Sequence, residues 1–215
     1  MRIKMLIIGA GDLGAQVKHW AELNATGVSY DIVGFVDDTK NKDSLFEGLP
    51  ILGCISDMES LYEAKLFEEA FIAIGYNHFN VREYLYQKLK AFNIPLATII
   101  APQTYIDSTS NIGRGCLIHP GCIISMNAVI EDNVILMNKV VIEHDAIIKK
   151  HSFVAPGATC AGFVSIGEKC FIGANAVIKE KLNICDETRV GALTFIRKHI
   201  TESGTYVLDS VTQKI

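Results

Sequence analysis

From Ile106 to Ile196 every sixth residue is apolar. The series Ile106, Ile112, Ile118, Ile124, Ile130, Leu136, Ile142, Ile148, Val154, Cys160, Ile166, Ile172, Ile178, Ile184, Val190 and Ile196 fills sixteen positions without a gap. Four residues after each of the first fifteen lies a second inward position, and all of these but Leu182 are small or β-branched. A period of six belongs neither to an α-helix nor to an ordinary strand; it marks a parallel β-helix, in which each unit is one short strand plus a corner. Three hexads close one triangular coil, which predicts about five coils. Sandwich strands recur at about 8–12 residues with irregular turns and would lose this phase. Gly113, Gly115, Gly121, Asn127, Asp132, Asn133, Asn138, Gly157, Gly167, Gly173 and Asn175 fall at corners. Left-handed backbone geometry there is cheapest for Gly and tolerable for Asn or Asp.

The first half has a different pattern, with apolar strands alternating with amphipathic helices. Strands are predicted at Ile3–Ile8, Asp31–Val36 and Glu69–Ile74, and helices at Leu13–Leu23, Asp57–Ala64 and His78–Phe92, before Pro95–Ile99 leads into the coils. Such alternation implies a parallel sheet wound in right-handed crossovers, a small Rossmann-like unit. The chain thus divides into an α/β domain over 1–98, an all-β domain over 99–200 and a C-terminal tail over 201–215.

Composition narrows the function. A net charge of −4 over 215 residues leaves no basic excess, which argues against nucleic acid as the partner. The opening run from Met1 to Gly9 is too short for a membrane span and lacks a signal-peptide cleavage pattern. None of the six cysteines forms a Cys-x-x-Cys pair, and Cys116, Cys122, Cys160 and Cys170 sit on the inward grid as packed thiols, so a reducing cytoplasm fits best.

Candidate chemistry lies in both halves. Gly9-Ala10-Gly11-Asp12-Leu13-Gly14 is a G-x-G-x-x-G between a strand and a helix, where free N–H groups and the helix dipole suit a phosphate. The second strand ends in Asp37-Asp38, able to accept hydrogen bonds from ribose hydroxyls or a base edge, and the third runs into Gly75-Tyr76-Asn77 at the same sheet edge. A nicotinamide dehydrogenase would need a substrate domain that a β-helix does not usually supply, so the nucleotide reads as a handle on the substrate. In the coils, His144 follows the inward Ile142 by two and points outward, with Asp145 beside it. A neighbouring acid can hold one imidazole tautomer and raise the basicity of the other nitrogen, as a general base requires. His119, His144 and His151 lack the grouping of a zinc site, so no metal is expected, and no Ser or Cys adjoins His144 for a covalent scheme.

Together with Ala155-Pro156-Gly157-Ala158 and Ala161-Gly162, these motifs make nearly the whole chain resemble the hexapeptide-repeat sugar acyltransferases related to sialic acid O-acetyltransferase and the UDP-4-amino-sugar N-acetyltransferase of the bacillosamine pathway. The resemblance implies a left-handed β-helix, acetyl-CoA as acyl donor, a nucleotide-linked amino sugar as acceptor, a homotrimer with the active site between subunits, and a role in bacterial surface-glycan biosynthesis. It assigns His144 as general base with Asp145 beside it, and Gly9, Gly11, Asp37, Asp38, Gly75 and Asn77 to the nucleotide sugar. Phe153, Gly162, Gly173 and Ala174 fall to the acyl-CoA groove. The chain departs from the family in carrying Phe153 where a second histidine is usual and Met137 where an asparagine is common. It also lacks a Gly-x-Pro-Ala-basic segment between Tyr206 and Ile215. Rival readings are an O-acetyltransferase of the sialic acid type and a non-catalytic β-helix that binds a nucleotide sugar.

Overall fold

The computed structural model describes residues 2–207. Its first part contains β1 (Ile3–Ile8), α1 (Asp12–Glu22), β2 (Tyr30–Val36), β3 (Leu45–Phe46), β4 (Leu49–Gly53), α2 (Met58–Glu63), β5 (Glu69–Ile72) and α3 (Phe79–Ala91). The sheet runs β3-β4-β2-β1-β5 and is parallel except for the β3–β4 pair. Met5, Leu6, Ile7 and Ile8 are fully buried, because β1 is central and covered on both faces. The β3–β4 hairpin is absent from the periodicity reading. Its signal is a two-residue turn, Glu47-Gly48, in which both residues have positive φ (49° and 77°), the geometry that matches strand twist in tight hairpins.

The second part is a stack of three-sided coils, consistent with a left-handed β-helix. Each strand is two residues long and, up to Ile196, pairs in parallel with the strand 18 residues on, as Ile124 pairs with Ile142 and Ile142 with Cys160; the closing pair, Arg189 with Thr205, is 16 apart. Three sheets result. The first face carries strands from Ile99–Ile100 through Phe153–Val154 to Thr205–Tyr206, the second from Tyr105–Ile106 to Phe195–Ile196, and the third from Asn111–Ile112 to Asn183–Ile184. The stack therefore starts one hexad before Ile106 and takes Thr205–Tyr206, from the segment set apart as a tail, as a further strand beside Arg189–Val190. The last eight residues, where the family's closing segment was sought, lie outside the described residues.

Left-handed geometry recurs at every sixth residue from Gly115 to Leu193, and most of these positions are not glycine. From Gly121 onward they share a hydrogen bond: Asn133 N–H donates to Arg114 O, Asp145 to Met126 O and Phe163 to His144 O, each reaching the coil beneath. That bond is what the unfavourable φ secures. Gly113, Gly167 and Gly173, expected to be left-handed, have no such φ. They are small because a Cβ at each would come within about 2.5 Å of backbone or side-chain atoms one coil on, at Asp132, Asp186 and Ala192 respectively.

The α/β domain sits on the first face. Ile99, Leu117, Ile135 and Phe153 pack into one core with Met5, Ile7, Phe35 and Phe71. Beside it, α3 sends the fully buried Arg82 into a corner of the coils. Its Nη1 donates to Ile74 O (2.8 Å), and its Nη2 to Asn133 O (2.5 Å) and Oδ1 (2.8 Å). Since Oδ1 accepts from Arg82, the Asn133 amide nitrogen is left to donate to His151 Nδ1 at 2.9 Å. His151 must be neutral to accept that bond. Burial first, and the Arg82 charge second, push His151 down to about 4, and burial pushes His119 to about 4 as well.

Both histidines bind protons more readily unfolded, near 6.5, than folded. Unfolding therefore takes up protons between those values, and stability falls as the pH drops from about 6.5 toward 4. Thermal melts across that range should show the decline, and His151→Gln should make it shallower.

Candidate active site

The glycine-rich turn grows directly out of β1. Gly9 (φ 107°) turns the chain, and Gly14 lets α1 approach, since a Cβ there would collide with Gly9 O. Gly11 precedes α1 and no side chain caps the helix, so its first N–H groups remain open. A cleft of about 450 Å³ forms here, lined by Gly9, Gly11, Asp37, Gly75, Met137 and Phe153, among others. Asp37 Oδ2 accepts from Ala10 N–H (2.7 Å), and its Oδ1 accepts from the N–H and hydroxyl of Thr39. Burial works to raise the Asp37 carboxyl, but the bonds from Thr39 and Ala10 outweigh it and hold the group below the usual carboxylate range. Asp37 thus arrives ionised and braced in the cleft.

Other predicted residues fall elsewhere. Asp38 is exposed, turned toward the end of β4, and accepts from Ile55 N–H (2.8 Å), so it does not line the cleft. Asn77 belongs to a neighbouring hollow with Lys169 and Arg189. Phe153, assigned by resemblance to the acyl-CoA groove, is buried at the foot of the glycine-rich cleft, its ring 5.1 Å from that of Tyr76. Burial decided that, because the outward side of the first face is covered by the α/β domain.

His144 and Asp145 occupy the corner between the second and third faces, the edge of the prism opposite the face that carries the α/β domain. The His144 Nδ1–H donates to Asp145 Oδ2 at 2.9 Å, and Asn127 Nδ2 donates to Asp145 Oδ1 at 3.2 Å. The bond from His144 first, then that from Asn127, holds the Asp145 carboxyl below its ordinary value. Nε2 is left without a hydrogen bond among the described residues, on a side chain 47% exposed. Gly162, one coil on, makes room for the ring, since a Cβ there would lie 2.7 Å from both Cε1 and Nε2. Gly173 and Ala174 lie at the corner between the first and second faces. Within one chain, then, Gly162 and the pair Gly173-Ala174 do not share a groove.

Two residues without a signal in the sequence complete these places: His78 lines the cleft beside Tyr76, and the Phe163 ring stands edge-on to His144, 5.1 Å between centroids. Among the described residues no group of three or more His, Cys, Asp or Glu could hold a metal ion, and no helix is long and apolar enough to cross a membrane. All six cysteines are free, and burial pushes the Cys116, Cys160 and Cys170 thiols up to about 12.

Residues 4–89 match the PglD N-terminal domain, and residues 127–162 match the bacterial transferase hexapeptide model of six repeats. Among solved structures, the acetyltransferase domain of PglB from Neisseria gonorrhoeae superposes with a TM-score of 0.86 at 23% identity, over 97% of this chain and 98% of that one. PerB from Caulobacter crescentus, in complex with CoA and GDP-perosamine, gives 0.86 at 25% identity over 96% and 95%. WeeI from Acinetobacter baumannii gives 0.83 at 25% over 98% of each chain. With both models in the same order along one chain and the whole fold shared, the chain has the domain make-up and the architecture of the hexapeptide-repeat sugar acyltransferases.

Proposed function

We propose that the protein transfers the acetyl group of acetyl-CoA to the amine of a nucleotide-linked amino sugar by direct attack, in the building of bacterial surface glycans. The observation that carries this reading is the His144–Asp145 pair. With Nδ1–H committed to a carboxylate, the free Nε2 is the basic nitrogen, and the ring edge that carries it is seated against Gly162. His144 Nε2 takes a proton from the sugar amine as the new N–C bond forms at the thioester carbonyl. The C–S bond then breaks and the proton passes to the departing thiolate. CoA and GDP-perosamine bound to PerB, and acetyl-CoA bound to the PglB domain, support the two substrate classes. Gly9, Gly11, Asp37 and Gly75 receive the nucleotide sugar, with Asp37 accepting hydrogen bonds.

Base and cleft stand on opposite sides of one chain, so the acceptor bound by one subunit meets His144 of another. A homotrimer formed through the second face fits this need. That face exposes the apolar column Tyr105, Ile123, Val177 and Phe195, which water alone would leave uncovered. Gly162 would flank the donor on the same edge as the base.

His144→Ala should lower kcat by about a hundredfold or more without loss of folding, because general-base assistance is typically worth about 10²–10⁴-fold and the side chain lies outside the core. Steady-state assays with acetyl-CoA and a panel of amino-sugar nucleotides check it; near-normal turnover would place the base elsewhere. Asp37→Ala should raise KM for the sugar nucleotide about tenfold, the loss of a hydrogen bond to a charged group, whereas Asp38→Ala should change it less than about threefold. Mixed trimers of His144→Ala and Asp37→Ala chains, refolded together and assayed at low acceptor, should be more active than either parent. Failure to exceed both would put base and cleft in the same chain.

A further inference from the structure

Phe163 has no place in the chemistry described so far, yet its position is unusual in three respects. It is one of the left-handed corner residues, with φ 60°, where a bulky side chain is costly and most of the equivalent positions hold Gly, Asn or a charged residue. Its side chain is half exposed, so no gain from core packing offsets that cost. And its ring stands at 88° to the His144 imidazole, 5.1 Å between centroids, while its N–H donates to His144 O at 3.1 Å. The residue is thus tied to His144 through both backbone and side chain.

From this geometry we propose that Phe163 is a positioning residue for the base, an apolar wall that holds the imidazole upright in its slot and keeps Nε2 turned toward the substrates. The slot has two other sides: Gly162 above, and Asp145 on Nδ1, itself held by Asn127. None of these stops the ring from rotating about its Cβ–Cγ bond toward solvent, because a single hydrogen bond at an exposed site is weak. The aromatic edge closes that route. Without it the ring spends part of its time with Nε2 turned from the thioester, and the slot it leaves admits water. When the ring returns, Nε2 takes a proton from that water as it attacks the thioester, giving acetate and CoA in place of acetylated sugar.

The proposal rests on the reading of His144 as base, and the test separates the two. Phe163→Asn suits the left-handed backbone better than Phe does, so its Tm should rise by a few degrees. Its kcat for transfer should nonetheless fall about tenfold or more, with KM for the sugar nucleotide unchanged and with a larger share of thioester lost to hydrolysis. Phe163→Tyr should keep wild-type kcat. A merely structural residue would not yield a variant that is more stable, equally well assembled by light scattering, and slower. Phe163→Asn with kcat within twofold of wild type would overturn the proposal, as would a loss of activity that follows a loss of Tm or of assembly. Nitrogen NMR of the His144 ring gives a reading independent of turnover. The wild type should show one dominant tautomer, protonated at Nδ1, and Phe163→Asn a mixture. If the wild type transfers no acetyl group but the tautomer still changes, the catalytic reading fails and the positioning role stands; an unchanged tautomer removes the positioning role.

Discussion

One fully buried guanidinium, Arg82, sets how the two halves of this molecule meet. Among the described residues no carboxylate forms an ion pair with it, so its charge is balanced only by carbonyl and amide oxygens at Ile74 and Asn133. Burial pulls its pKa down to about 10, which still leaves it charged at neutral pH. Such a group is costly to bury unless each partner stays in place, and breaking the set leaves an uncompensated charge in the interior. Ile74 belongs to the wall of the glycine-rich cleft and Asn133 to a coil corner, so one side chain fixes the distance between that cleft and the β-helix. The neutral state of His151 follows, since a proton on Nδ1 would face both the Asn133 amide hydrogens and a buried cation.

The coils provide what the α/β domain lacks, a rigid edge with an exact repeat of 18 residues between stacked positions. His144 stands beneath Gly162 for that reason alone, and the gap one residue leaves becomes the space another occupies. The left-handed corners serve the same end: each turns an N–H toward the coil beneath, and the residues beside it are held to the geometry of the ladder. A side chain at such a corner has few degrees of freedom before any tertiary contact is made. Holding the His144-Asp145 pair there costs little conformational entropy, which suits any site that needs close placement.

Much of this was legible in the chain. The hexad series, the strand–helix alternation, the glycine-rich turn and the outward His144-Asp145 pair all follow from local rules, because a two-residue strand that repeats every six positions can satisfy its backbone only in a stacked coil. The same rules missed the Leu45–Gly53 hairpin, whose turn is encoded by two residues rather than by a period, and mistook crowded glycines such as Gly173 for left-handed ones. Phe163 was invisible because its importance lies in a contact with a residue one coil away.

The amino-acid sequence by itself determined the repeat, the order of the two domains and the types of residue available for chemistry, since each depends on spacing along the backbone. Only the tertiary structure decided that Asp37 faces the cleft and Asp38 does not, and that Phe153 lies under the α/β domain. It also placed the His144-Asp145 pair on the edge away from the cleft. Those outcomes depend on which face of the prism is covered, and covering is settled by packing between segments far apart in the chain, a quantity to which no local pattern is sensitive.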